Sequence, residues 1–299
     1  MKIGFLTACL RQTPLQEIIR WAGKAGFRAL ELSVNPPRGG QARPNELDVL
    51  ALGPKEAAAL REACEAQGIE ISCLTYCDNN LAADEARRRE VHAHLRRVID
   101  AAALLGVRVV STFVGRDEHL PLAENVQLAA TVLPPLLDYA GERGVRLAIE
   151  NWPGVGLQFE GLIGNIFMSP VVWEELFSLL PHENFGLNFD PSHLYWQGID
   201  YLQAARTFAK RIFHVHIKDT EILTGELQRG GSLLPRRWYR YRLPGYGAIK
   251  WPQFISTLRE GGYDGALSIE HEDPVWSGEE ERVREGLVLG LKYLSTYVA

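Results

Sequence analysis

Arg143-Gly144-Val145-Arg146-Leu147-Ala148-Ile149-Glu150 holds the unit from which the rest of the chain is built. A glycine closes a helical stretch, a compact apolar run follows, and the run ends on an acid. Glycine takes up the left-handed conformation at a helix end without a Cβ penalty, so helix, glycine and strand in succession mark an αβ connection. The unit recurs at Ala25-Gly26-Phe27-Arg28-Ala29-Leu30-Glu31-Leu32, at Gln67-Gly68-Ile69-Glu70-Ile71-Ser72-Cys73-Leu74 and at Leu105-Gly106-Val107-Arg108-Val109-Val110-Ser111-Thr112. Further apolar runs lie at 2–7, 184–190, 211–218 and 262–270, which makes eight strands. Helical patterns separate them at 15–24, 55–66, 83–105, 122–141, 170–180, 201–210 and 251–261, and an eighth follows at 278–297. This alternation predicts an α/β fold with a parallel sheet under helices, and eight units predict a closed (β/α)8 barrel spanning residues 1–299 as one domain. An open doubly wound sheet would carry a glycine-rich turn after its first strand, and Thr7 to Pro14 contains no glycine.

The chain has 299 residues, 46% hydrophobic and 23% charged, with enough apolar material for one large core. Its formal net charge of -5 argues against a general nucleic-acid binder, whose affinity rests on cationic contacts to phosphate. No apolar run approaches the roughly 20 residues that span a bilayer, and Met1 to Leu6 reads directly into a strand rather than a signal segment. Cys9, Cys64, Cys73 and Cys77 lack the pairing of a structural zinc site and are read as free thiols, which places the protein in the cytoplasm.

The chemistry lies at the strand ends. The fifth strand closes in Glu150-Asn151-Trp152, the sixth in Asn188-Phe189-Asp190-Pro191-Ser192-His193, the seventh in His214-Val215-His216-Ile217-Lys218-Asp219, and the eighth in Glu270-His271-Glu272. In a barrel these ends meet on one face, where two Glu, an Asp and a His would repel and desolvate badly without a divalent cation. Carboxylate and imidazole donors without cysteine suit Mn2+, Mg2+, Co2+ or Fe2+ as well as Zn2+, and Mn2+ is the ion expected first. Proton abstraction beside a carbonyl forms an enediolate that such a cation stabilises, and two carboxylates can remove and return the proton.

The quartet Glu150, Asp190, His216 and Glu270 resembles the xylose-isomerase-like TIM-barrel family of sugar isomerases and epimerases. Asp190-x-x-His193, His216-x-Lys218-Asp219 and Pro244-Gly245-Tyr246-Gly247-x-Ile249 strengthen the likeness, which covers nearly the whole chain. The resemblance implies that the quartet binds one divalent metal, that Glu150 and Glu270 act as proton donor and acceptor, and that His193 contacts substrate oxygens. Lys218 and Asp219 stand where the family has a substrate-holding arginine, and Trp152 is a candidate pocket wall. The expected partner is a small sugar or sugar phosphate. A metal-dependent dehydratase of a keto-cyclitol is the alternative. The related endonuclease IV needs histidines on the third and fourth strands, where Cys73-Leu74-Thr75-Tyr76 and Ser111-Thr112-Phe113-Val114-Gly115 have none.

Three loops exceed what a minimal barrel needs, at 33–53, 151–169 and 219–249. The last carries Arg229, Arg236, Arg237, Trp238, Tyr239, Arg240, Tyr241 and Arg242, read first as packing in a lid or between subunits of a homo-oligomer, then as an anion anchor. His92 and His94 are read as surface residues, His214 as a core or supporting residue below His216, and His271 as turned toward the helices.

Overall fold

The helix-to-strand turns of the repeating unit are left-handed glycines, with φ of 67° at Gly144 and 104° at Gly26, a backbone that a Cβ would strain. Around them the computed structural model forms a closed barrel, and it describes residues 1–37, 42–154, 164–233 and 238–298. Gly39, Gly40, Val155, Gly156, Arg236 and Arg237, all assigned above to loops, lie outside the described residues.

The barrel strands are β1 (Lys2–Leu6), β2 (Ala29–Ser33), β3 (Glu70–Thr75), β4 (Val109–Thr112), β5 (Arg146–Glu150), β6 (Phe185–Phe189), β7 (Ile212–Ile217) and, last in the chain, β10 (Ala266–Ile269). Neighbours pair in parallel, and β10 closes the ring on β1 with Lys2 opposite Ala266. The register shifts at Leu30/Glu31 between β2 and β3, and at Leu187/Asn188 between β6 and β7. Such irregularities re-aim the side chains that follow. Gly186 in β6 has no side chain for a steric reason: a Cβ there would fall 2.3 Å from the Arg211 carbonyl and 2.5 Å from the Phe213 ring. The space holds Phe213, which packs inside the barrel with Cys73, Val109 and Ala148.

Helices α1 (Leu15–Ala25), α2 (Pro54–Glu65) and α3 (Glu85–Leu105) cover the first strands, and α6 (Pro170–Leu179), α8 (Tyr201–Thr207), α10 (Trp251–Glu260) and α11 (Glu280–Ser295) the later ones. The helix expected over 122–141 is two, α4 (Leu122–Val132) and α5 (Pro134–Gly141). Pro134 and Pro135 offer no N–H to the preceding turn and start a new helix instead. Among the described residues no helix is long and apolar enough to cross a membrane.

Two elements lie outside the eightfold repeat. The loop after β7 folds into an antiparallel pair, β8 (Asp219–Ile222) and β9 (Tyr239–Arg242), with α9 (Thr224–Gly230) between them. The short α7 (Pro191–Trp196) follows β6 at once. His94 is not a surface residue as expected: it is buried, its Nε2 2.8 Å from the Val34 carbonyl and its ring edge-on to Tyr76.

Candidate metal and active site

Glu150 ends β5, Asp190 and Glu270 stand one residue beyond β6 and β10, and His216 lies within β7. Pro191 both stops β6 and occupies the first turn of α7, where its missing N–H costs nothing. Asp190 is the cap of that helix: its Oδ1 accepts the Ser192 N–H at 2.8 Å, which turns Oδ2 into the barrel mouth. Asn151 fixes the same residue from β5's side, accepting the Asp190 N–H at 2.8 Å and donating to its carbonyl at 2.9 Å.

One donor atom from each of Glu150, Asp190, His193 and Glu270 lies within 4.8 Å of the others. His193 thus enters the cluster, its Nε2 3.2 Å from Asp190 Oδ2 and 3.4 Å from Glu150 Oε1. His216 Nδ1 borders the cluster, 3.1 Å from Glu270 Oε2 and 3.6 Å from Glu150 Oε1. Burial works to raise the Glu270 carboxyl, but Lys218 and His216 hold it well below the usual carboxylate range. Burial and the neighbouring Glu270 also raise Glu150, and the close His193 and His216 imidazoles outweigh them to leave it lowered. Lys218 is buried, with Nζ 2.6 Å from Glu270 Oε2, 3.1 Å from Asp190 Oδ2 and 3.2 Å from Glu272 Oε2, and 4.6 Å from the centre of the Tyr241 ring.

A second group, Glu31, His214 and His216, lies deeper in the barrel. Hydrogen bonding separates the two. In the deeper group His214 is spent on Asn188 and Ser72, 3.1 and 3.2 Å away, and burial pushes its imidazole down to about 4, so it is neutral. In the upper group three buried atoms, Asp190 Oδ2, His193 Nε2 and His216 Nδ1, have no hydrogen-bond partner among the described residues, although ionic neighbours lie close. Buried polar atoms left in this way are costly unless something else occupies them. Three carboxylates and two imidazoles with unspent atoms facing one another fit a divalent cation in the upper group.

Above the cluster opens a cavity of about 400 Å³, walled by Phe113 and Trp152, whose rings stack at 5.1 Å, and by the polar side chains of Ser33, Asn35 and Thr75. Glu150, Glu270, Lys218 and Cys77 also line it, and a groove of about 480 Å³ bearing Arg11 and Gln12 adjoins it at Glu270 and Glu272. A larger cavity of about 680 Å³ lies at the opposite mouth, beneath the strand starts and away from these carboxylates. Asp219, expected to contact substrate, serves the loop instead. Its Oδ1 accepts the N–H groups of Thr220 and Ile249, and its Oδ2 those of Gly245 and the Trp251 indole, at 2.8, 2.9, 3.0 and 2.8 Å.

The basic run after β7 is likewise structural where it is described. Arg240 and Arg242 pair with Glu221, and Arg242 reaches Asp273 at 2.9 Å. Tyr239 stacks on Trp196 at 4.5 Å and Tyr241 places its hydroxyl 2.9 Å from His193 Nδ1. The hairpin therefore packs on its own chain, beside α7.

Glu31 escaped the sequence reading. It is fully buried in β2, and both its oxygens lie 3.0 Å from His216 Nε2. Ser268 donates to it at 2.6 Å and Thr75 donates as well. Burial alone would raise its carboxyl, but the His216 and His214 imidazoles and these hydrogen bonds hold it down to about 2. The available signal was an acid inside an otherwise apolar strand, Ala29-Leu30-Glu31-Leu32, which burial permits only with dedicated partners.

Comparison with known proteins agrees with this architecture. An uncharacterized protein of Bacillus subtilis is 29% identical over 305 aligned residues, covering 93% of this chain and 95% of its own. An inosose isomerase of Bacillus licheniformis is 25% identical over 235 residues, 77% of each chain. Among solved structures, the IOLI protein with a bound zinc atom superposes with a TM-score of 0.75 at 20% identity, over 100% of this chain and 98% of its own. The family model described as xylose isomerase-like TIM barrel matches residues 19–291, and the chain belongs to that family.

Proposed function

We propose that the chain is a divalent-metal-dependent isomerase or epimerase of a polyhydroxylated ketone, working by proton transfer at a carbon beside the carbonyl. The observation that carries this reading is the pair Glu150 and Glu270, from strands that are not neighbours, facing one cavity around three unspent buried ligand atoms. Glu150, Asp190, His216 and Glu270 would hold the cation, with His193 beside them. When bound, it would polarise the carbonyl and offset the negative charge that develops as the proton leaves.

The protein's own groups do the rest. Both glutamates are held ionised, so either can accept a proton, and the one that has accepted it can return it. Lys218 keeps Glu270 charged and oriented. His193, steadied by Tyr241, points Nε2 at the reacting face, where it can bind a substrate oxygen. Phe113 and Trp152 shield one side and offer an apolar surface to a sugar ring. Among the described residues lining the cavity Lys218 is the cation, and three carboxylates already engage it, which favours an uncharged sugar over a phosphorylated one. An inosose isomerase among the relatives supports the same substrate class. The oxygen-rich donor set makes Mn2+ the first ion to test, and the zinc of the IOLI structure makes Zn2+ the second.

The test is elemental analysis of the purified protein, then incubation with ketoses and inososes in heavy water. Deuterium should wash in beside the carbonyl, and Glu150→Gln or Glu270→Gln should slow it by roughly 10²–10⁴-fold with the circular dichroism unchanged. Wash-in that survives both substitutions would remove the glutamates from the chemistry. Loss of water with a new conjugated absorbance would assign the reaction to a dehydratase.

A further inference from the structure

Glu31 lines neither cavity at the site's mouth, yet it is fully buried and both of its oxygens are engaged by side chains of other strands. Its partners come from three other strands: Thr75 at the end of β3, His216 in β7 and Ser268 in β10. Both Glu31 oxygens face His216 Nε2 at 3.0 Å and also take the hydroxyl donors of Ser268 and Thr75, so the carboxyl is the acceptor throughout and the His216 nitrogen is the donor of this contact. Fixing the proton on Nε2 leaves Nδ1 to the upper cluster, where it lies unpartnered and buried, 3.1 Å from Glu270 Oε2. The register shift of β2 falls at Leu30/Glu31, so the strand is bent where this side chain must be aimed. Strand β6 shifts register against β7 at Leu187/Asn188, and the Asn188 Nδ2, which donates to Ser111 Oγ at 2.9 Å, lies 3.0 Å from the same His216 nitrogen.

We propose that Glu31 is the positioning residue for His216: it sets the Nε2–H tautomer, locks the ring plane, and so presents Nδ1 as a donor to the cation held with Glu150, Asp190 and Glu270. The inference rests on the metal reading given above. A carboxylate behind a ligating imidazole fixes its orientation and raises its donor strength, and loss of such a partner weakens metal binding by roughly 10–100-fold. Glu31 touches neither substrate nor metal and acts only through His216.

Metal affinity tests this directly, by competition of the full-length protein with a fluorescent chelator for Mn2+ and Zn2+. Glu31→Gln keeps the size but removes the charge and replaces one accepting oxygen with an N–H2 donor, and it should bind either ion roughly 10–100-fold more weakly. Against a His216→Ala background the same change should have no further effect. Wild-type affinity in Glu31→Gln, or an equal loss in both backgrounds, would overturn the proposal. If the wild type itself binds no divalent ion, the metal reading fails instead. Should Glu31→Gln not fold, histidine-labelled wild-type protein loaded with Zn2+ decides by NMR. The His216 ring should show a proton on Nε2, and a proton on Nδ1 would overturn the assignment.

Discussion

Lys218 is a buried ammonium in contact with three carboxylates, two of them proposed above as metal ligands. Without an added cation it is the strongest positive charge among Asp190, Glu270 and Glu272, and its burial is tolerable only because they surround it. Lys218→Met should therefore leave like charges facing one another in the ion-free protein and lower its stability by about 3 kcal/mol in urea unfolding. Saturating Mn2+ should recover much of that loss, because the divalent ion supplies the missing charge. An equal loss with and without Mn2+ would mean that the lysine does not share the cation's carboxylates. At this scale the sequence was uneven. Acids at strand ends announce themselves by breaking an apolar run, as Glu150 and Glu270 do, whereas Glu31 sits within its strand and shows its purpose only when β3, β7 and β10 deliver partners to it.

The β8–β9 hairpin shows how an element can hide in a composition. Tyr239-Arg240-Tyr241-Arg242 reads as a basic aromatic run, but its period of two is that of a strand with one face in and one out. Its tyrosines are buried against Trp196 and His193, while its arginines are used by Glu221 and Asp273. Asp219 pins the base of the hairpin through four N–H donors, and Gly247 passes so close that a Cβ would lie 2.3 Å from the carboxylate. Asp219→Asn would turn an amide N–H2 toward donors that need an acceptor, so a loss of about 2 kcal/mol in urea unfolding is expected. A variant of unchanged stability with a raised KM would instead return Asp219 to the substrate. The six-residue α7 has little signal of its own in the sequence, because Pro191 ends β6 and starts the helix at once.

For the whole molecule, the repeat of helix, glycine and strand made the barrel legible, since each unit carries its own local signal and closure follows from their number. The ends of β5, β6, β7 and β10 were legible for the same reason. What the sequence could not convey was which atoms remain unspent once the ring has closed, and that is what separates the two groups of ligand-type residues. An ion that binds the folded chain alone should raise its melting temperature with concentration, by linkage. Asp190 gives that general effect a particular address. One of its oxygens starts α7 and the other faces the cluster, so a single carboxylate is shared between a helix cap and the proposed ion site. With an ion bound there, its exchange and the fraying of α7 would be linked through that carboxylate. Mn2+ or Zn2+ at saturation should slow amide hydrogen exchange at Ser192 to Tyr195 more than in α3 across the barrel. Uniform slowing in both helices would mean that the ion tightens the fold without passing through this hinge. Selective slowing at α7 would make the short helix a latch on the mouth of the barrel, its opening tied to the release of an ion.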